Sequence, residues 1–247
     1  LHHNLFALKF RYFYKAAAIP FLFFCTAAKA QPNALGGWYY VNLNYHINQK
    51  FFVYGEVQTR SQQVLDDFYY RELKTGFGYA LRHNMSALLG VGNYKTFTFP
   101  GNYEKPLRVN ENRIWEQFGI TNNLSRIFME HRFRVEQRWL NGDYFNRFRY
   151  RLALSIPVNH PKIIDKTFFP VVFDEVFFSN KDPYFIRNRF MAGAGYRFSK
   201  SVTAQAGFIR QSDFSANGSS SGKNYIISSV TFNAGNNHKK PVSSSAD

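Results

Sequence analysis

The chain has 247 residues, a formal net charge of +15, one cysteine, and an aromatic complement that includes 28 Phe and 16 Tyr. One cysteine excludes an intramolecular disulfide framework and a thiolate metal cage. The positive charge raises nucleic acid as a partner, but nucleic-acid binding is not expected, because the arginines recur at every second residue and not in a Lys-rich loop or helix.

The first predicted element is a leader. Lys9, Arg11 and Lys15 precede the apolar run "AAAIPFLFFCTAA", and "AKA" stands just before Gln31. A basic segment, an apolar core and a small-x-small site predict a signal peptide over 1–30, cleaved after Ala30. The apolar run is shorter than the roughly 20 residues a spanning helix needs. Phe24 stands where a lipidated Cys25 would require a small residue, so lipidation is not expected. Cleavage removes Cys25 with Lys9, Arg11, Lys15 and Lys29, which takes the net charge to +11. No later segment holds a dozen consecutive apolar residues, so no transmembrane helix is expected. An exported chain rich in aromatics fits a transmembrane barrel, whose lipid-facing residues alternate with polar lumen residues.

Strands are predicted near 38–47, 51–60, 68–80, 85–96, 111–121, 126–139, 144–156, 167–179, 185–198, 201–211 and 224–232. The clearest pair is "RIFMEHRFRVEQRWLNGDYFNRFRYRLALSIPV", 126–158, in which apolar and charged residues alternate with the strand period of two across an Asn-Gly hairpin signal. Short breaks ("NQK", "LRHN", "NNLS", "FSKS") alternate with longer ones ("SQQVLDD", "TFPGNYEKPLRVN", "SDFSANGSSSGK"), as periplasmic turns and external loops do in bacterial barrels. "PVNHPKIIDK" is long on the side of the short turns. The expected fold is all-β: a single transmembrane antiparallel β-barrel of about 10–12 strands over 31–232 with a charged lumen, followed by a polar tail over 233–247. Eleven segments conflict with the even count of single-chain bacterial barrels. They also leave the first strand upside down relative to a periplasmic C-terminus, so ten or twelve strands are expected.

An arginine exposed to lipid at mid-bilayer costs about 2–4 kcal/mol in a barrel, so the charged face is assigned to the lumen. That ladder comprises Glu56, Glu72, Lys74, Glu111, Arg113, Glu130, Arg132, Arg134, Glu136, Arg138, Arg147, Arg149, Arg151, Arg187, Arg189 and Arg197. Arginines forking to glutamates are expected across a narrow interior. "WYY", "FYY", Trp139 with Tyr144, and the Phe pairs at 168–169 and 177–178 suit interfacial aromatic girdles.

The segments "ENRIWEQF", "MEHRFRVEQRW", "NRFRYRLALSIPVN", "DEVFFSN" and "YFIRNRFMAGAGYRF", in this order and spacing, resemble the family of outer-membrane β-barrels catalogued as domain of unknown function 2490. The resemblance covers essentially the whole chain after the leader. It implies a bacterial outer-membrane location and no activity.

Three functions are open at this stage. A structural barrel or narrow passive channel preferring anions is expected first, since arginine rings select anions but about 16–18 strands are needed for an open aqueous bore. A lipid-modifying hydrolase is the first alternative; its one candidate is His131 on the apolar face, with Thr121 and Tyr150 as the neighbours on offer and no acid or nucleophilic Ser in evidence. A surface-binding barrel acting through its outer loops is the second. Expected partners are outer-membrane lipid and lipopolysaccharide, with small anionic solutes. No metal-spaced histidines and no phosphate or dinucleotide fingerprint are present, so no metal or cofactor is expected.

Overall fold

The computed structural model describes residues 35–81 and 84–235; the expected leader, Cys25 and residues 236–247 of the expected tail lie outside the described residues. Eleven strands follow one another: β1 (Gly36–His46), β2 (Phe51–Gln63), β3 (Asp66–Ala80), β4 (Met85–Phe97), β5 (Leu107–Leu124), β6 (Ile127–Leu140), β7 (Asp143–Ser155), β8 (Thr167–Ser179), β9 (Phe185–Ser199), β10 (Val202–Phe214) and β11 (Ser220–Gly235). Each pairs antiparallel with the next, and β11 returns to β1 to close the barrel.

The count corrects the expectation of ten or twelve. Eleven strands in meander order leave β1 and β11 pointing the same way, so the barrel can close only through a parallel seam. The seam runs in unbroken register from Gly36 opposite Tyr225 to His46 opposite Gly235. The first strand is therefore not inverted by error. Its direction is what an odd barrel demands, and every backbone edge is still paired.

The rim carrying His46 and Gly235 is here the lower rim, and the opposite one the upper rim. Turn chemistry sets the tight connections. Asn141 and Gly142 both adopt positive φ, 49° and 96°, the conformation of the Asn-Gly hairpin turn. At the lower rim Asn48 Oδ1 accepts hydrogen bonds from the amides of Lys50 and Phe51, each at 2.9 Å. The expected alternation of short and long breaks does not hold. "SQQVLDD" is mostly strand, because β2 and β3 continue pairing to Gln63 opposite Asp66. The long segment 156–166 folds against the lower rim. Arg126 Nη2 donates to the carbonyls of Pro157 (2.7 Å) and His160 (3.1 Å), Arg197 Nη1 donates to Ile163 O (3.3 Å), and Ile163 packs on the barrel's apolar cluster.

The upper connection between β4 and β5 is also held down. Asn102 Oδ1 accepts from Phe68 N (2.7 Å), Asp67 Oδ1 from Gly101 N (2.9 Å), and Asp66 Oδ1 from Asn102 Nδ2 (3.0 Å). This segment, expected as one of the longer external loops, bonds to the β2–β3 turn through the Gly101 amide and the Asn102 side chain.

Outward residues form an apolar wall that includes exposed Val41, Val57, Leu73, Leu89, Phe133 and Phe208. Toward the upper rim the same face turns polar, with Asn93 donating to Asn110 (3.0 Å) and Asn112 (2.8 Å), and Arg210 donating to Asn224 (3.1 Å). The aromatic doublets do not act as blocks, since neighbouring residues of a strand point to opposite faces. Phe168 and Phe178 are exposed outside, whereas Phe169, Phe177 and Trp38 are buried inside. Trp139 and Tyr144 do lie together on the outer wall, rings 5.4 Å apart.

Two outcomes test this architecture. With Cys25 replaced by serine, the pair Val41→Cys and Val230→Cys, directly opposite across the seam, crosslinks on oxidation, since neighbouring strands bring the Cα atoms within disulfide range. Val41→Cys with Ile226→Cys, four residues out of register, does not crosslink; a non-reducing gel and mass spectrum distinguish them. The second outcome is pH dependence. Hydrogen bonds from Asn102 and the Asp67 amide hold the Asp66 carboxyl below its ordinary value. Its contribution is present above the unfolded value near 4 and is lost as the pH falls through the depressed folded value. Exchange of the Phe68 amide, relative to amides in mid-strand, accelerates below pH ~4, and Asp66→Asn removes that pH dependence.

Candidate functional site

The strand period of two places every second residue of β2 to β10 on the interior, where side chains from opposite walls meet. All sixteen ladder residues are inward. Thirteen of them are buried, and Arg138, Arg187 and Arg197 are partly exposed toward the rims.

Three lateral pairs put arginine directly opposite arginine: Arg113 with Arg138, Arg134 with Arg149, and Arg132 with Arg151. Like charges in register repel, so the arrangement stands only because carboxylates lie on the diagonals. Glu136 accepts from Arg147 Nε (2.7 Å) and Arg149 Nη1 (2.6 Å). Glu175 accepts from Arg132 Nη2 (2.5 Å) and Arg149 Nη2 (2.9 Å), and Arg189 Nη1 stands 3.7 Å from it. Glu111 takes a two-pronged bond from Arg113, 2.8 Å at each oxygen, and is also paired with Arg138. Glu130 pairs with Arg151. On the β2–β3 wall Lys74 Nζ bridges Glu56 (2.5 Å) and Glu72 (2.7 Å), and the Tyr54 and Tyr70 hydroxyls bond to these same two glutamates.

Aromatic faces take up much of the remaining cationic surface. Arg113 lies 3.6 Å over Tyr94, Arg134 4.2 Å over Trp115, and Arg149 4.6 Å over Phe177. Such contacts are worth up to about 2 kcal/mol when desolvated. Close packing extends to the backbone: a Cβ at Gly90 would sit 2.2 Å from the Trp115 ring, so only glycine lets that indole lie flat on β4. Glu136, Glu175, Trp38 and Trp115 have no solvent-exposed surface. The middle of the bore is filled.

The expected charged lumen is only part of the interior. An apolar cluster of Trp38, Phe169, Val171, Phe173, Met191, Ile209, Tyr225 and Ile227 lies on β1 and β8 to β11, strands that also point Glu175 and Arg189 inward. The signal was present in "TFFPVVFDEVFF", an almost unbroken apolar run of the kind produced when both faces of a strand are buried. Glu175 was missed for a related reason: Asp174 and Glu175 are adjacent, so the run left open which acid points inward. The structure turns Glu175 in, opposite Arg151 and Arg189, and Asp174 out, where Asn188 donates to it at 2.8 Å. Arg60 was also missed, although it continues the parity of Glu56.

Two cavities flank the filled layer. The lower, about 280 Å³, lies above segment 156–166 and is lined by Phe169, Val171, Phe173, Ile163, Glu130 and Arg151 among others. The upper, about 340 Å³, is lined mainly by arginines and tyrosines.

The hydrolase candidate resolves differently. His131 Nδ1 is 2.9 Å from the Tyr150 hydroxyl on the outer wall. Thr121 lies opposite Glu130 and so faces the lumen, away from His131. No Ser or carboxylate hydrogen-bonds to His131 among the described residues, and no three His, Cys, Asp or Glu among them gather as a metal site.

The family model for DUF2490, described as a protein of unknown function, matches residues 35–222, from just before β1 into β11. The search of curated proteins returned no match. Among solved structures the chain is similar to LpxR from Salmonella typhimurium, with a TM-score of 0.44 at 8% identity over 73% of this chain and 83% of that one.

Removing the hub should be costly. Glu175→Ala strands Arg132, Arg149 and Arg189 without their shared carboxylate, and loss of one partner of a buried pair costs about 3–5 kcal/mol. Glu116→Ala, on the outer wall with one hydrogen bond from Gln137, stays within about 0.5 kcal/mol. Urea unfolding of the refolded barrel in detergent separates the two.

Proposed function

The chain belongs to the DUF2490 family of proteins of unknown function, and from that premise and the geometry of its interior we propose that it is a structural β-barrel of the bacterial outer membrane that stays closed to solutes. The observation that carries this reading is the filled layer around Glu136 and Glu175. Pairing of arginines to carboxylates and stacking on Trp38 and Trp115 bury the side chains at that level, which supports a lumen without a continuous aqueous path. Segment 156–166 adds a second closure by folding against the lower rim. Membrane insertion is supported by the apolar outer wall, which a water-soluble barrel of this size would not expose as a continuous belt.

The alternatives draw less support. An anion channel needs arginines free to meet a passing ion, and most of these are already bound to glutamates. A lipid hydrolase needs a nucleophile and base in contact, and among the described residues His131 hydrogen-bonds to Tyr150 and to no Ser or carboxylate. In this reading the long side chains brace the wall from inside, which lets a barrel with few strands keep its round section while its outer face contacts lipid.

Bilayer electrophysiology tests the reading. Refolded protein, its insertion confirmed by a heat-dependent gel shift, should give no reproducible conductance steps. Anion-selective steps weakened by replacing Arg132, Arg149 and Arg189 with Gln would replace the closed barrel by a channel.

A further inference from the structure

The upper cavity has a surplus of positive charge that the ion-pair network does not absorb. Its walls carry Arg60, Arg113, Arg138, Arg147, Arg187 and Arg189, brought together from β2, β5, β6, β7 and β9, against the single carboxylate Glu111. Four of the six have carboxylate partners within hydrogen-bond reach: Arg113 and Arg138 on Glu111, Arg147 on Glu136, Arg187 on Asp213. Arg60 and Arg189 do not. Arg60, 7% exposed, makes no ion pair among the described residues; it lies 3.5 Å over Trp38 and 4.4 Å over Tyr70, and its buried Nε has no hydrogen-bond partner. Arg189, 2% exposed, spends its Nε on Gln211 (2.9 Å), while Nη1 makes no hydrogen bond and faces Glu175 Oε2 at 3.7 Å, beyond hydrogen-bond reach, the other oxygen of that carboxylate holding Arg132 and Arg149.

Both guanidinium groups rest on the same indole, within 5 Å of the Trp38 ring. Two buried like charges on one ring need a shared counter-ion. Each guanidinium presents a planar set of donors matched to a pair of oxygens on one acceptor. A tetrahedral oxyanion offers oxygens to both at once, and the cavity volume far exceeds the ~15 Å³ that one water needs. Partly exposed Arg187 and Arg138 lead to it from the upper rim, and Lys223, about 6 Å over the Tyr69 and Tyr225 rings, adds a cation near that entrance. We propose that this vestibule is a binding site for a small soluble phosphate-bearing anion, gripped between Arg60 and Arg189. A membrane lipid fits less well, because its acyl chains belong outside the strand wall that encloses these arginines. The inference is independent of whether the bore conducts.

Calorimetric titration of the refolded full chain in detergent with inorganic phosphate, at constant ionic strength, tests it. Saturable one-to-one binding is expected, weakened at least tenfold by Arg60→Gln and by Arg189→Gln and unchanged by Lys50→Gln in the lower β1–β2 turn. Where either arginine variant does not fold, the wild-type melting midpoint serves instead: it rises with phosphate and not with chloride at matched ionic strength, and Arg187→Gln reduces the rise. No saturable heat and no phosphate-specific rise would overturn the site. So would equal weakening by Lys50→Gln, or a barrel that ignores free phosphate yet binds phosphatidylglycerol vesicles through Arg60 and Arg189.

Discussion

A guanidinium taken out of water must be given carboxylates, hydrogen-bond acceptors or aromatic faces, and the interior of this barrel is organised around that demand. Cross-strand register sets arginine against arginine three times on β5, β6 and β7. Each such contact is unfavourable alone, and Glu111, Glu136 and Glu175 make the set tolerable by bridging guanidinium groups from different strands, with Glu130 paired to Arg151. The consequence is coupling. Glu175 touches arginines from β6, β7 and β9, so the position of one carboxylate is shared by three walls. A filled bore follows from the same chemistry, because charges paired in a narrow lumen draw opposite walls into contact.

The lumen is packed in two ways. The arginines are neutralised by pairing and by stacking on Tyr94, Trp115 and Phe177, and beside them an apolar cluster packs on β1 and β8 to β11, strands that also point Glu175 and Arg189 inward. Trp38 stands where the two meet. It joins the apolar cluster through Tyr225, edge to face at 5.6 Å, and accepts Arg60 and Arg189 on its face. An indole suits this place because its body is apolar and its π face attracts cations. The upper cavity lies beside this indole, where Arg60 from β2 and Arg187 and Arg189 from β9 meet the arginines of β5 to β7.

Legibility of the site in the sequence followed its physics unevenly. Alternation on β6 and β7 was strong enough to place Glu130 to Arg138 and Arg147 to Arg151 on one face without any structure. Arg60 was readable by the same parity from Glu56, though its surroundings in "QTRSQQ" are polar on both sides and blur the period. Glu175 was not readable from local pattern, since an adjacent acid and an apolar run on both faces erase the alternation that assigns a side. Its role depends on which residues stand opposite on β7 and β9, a relation set by register. Trp38 was placed with the interfacial aromatics because "WYY" reads as a block, and the pleat splits it.

By itself the sequence determined an all-β chain, eleven strand segments, the face on which most charges lie, and the tight Asn-Gly turn between β6 and β7. These depend on residues close in the chain, where a period of two and a positive-φ turn are local properties. Tertiary structure alone decided that eleven strands close through a parallel seam, that segment 156–166 folds onto the lower rim, and which carboxylate serves which arginine. Each of these joins residues far apart in sequence, β1 to β11 or Arg132 to Glu175, and no local period carries the distance between them. The same reason explains the vestibule. Five of its six arginines were visible as separate members of a charged face and Arg60 was not, and only closure of the sheet brings Arg60 and Arg189 onto one indole.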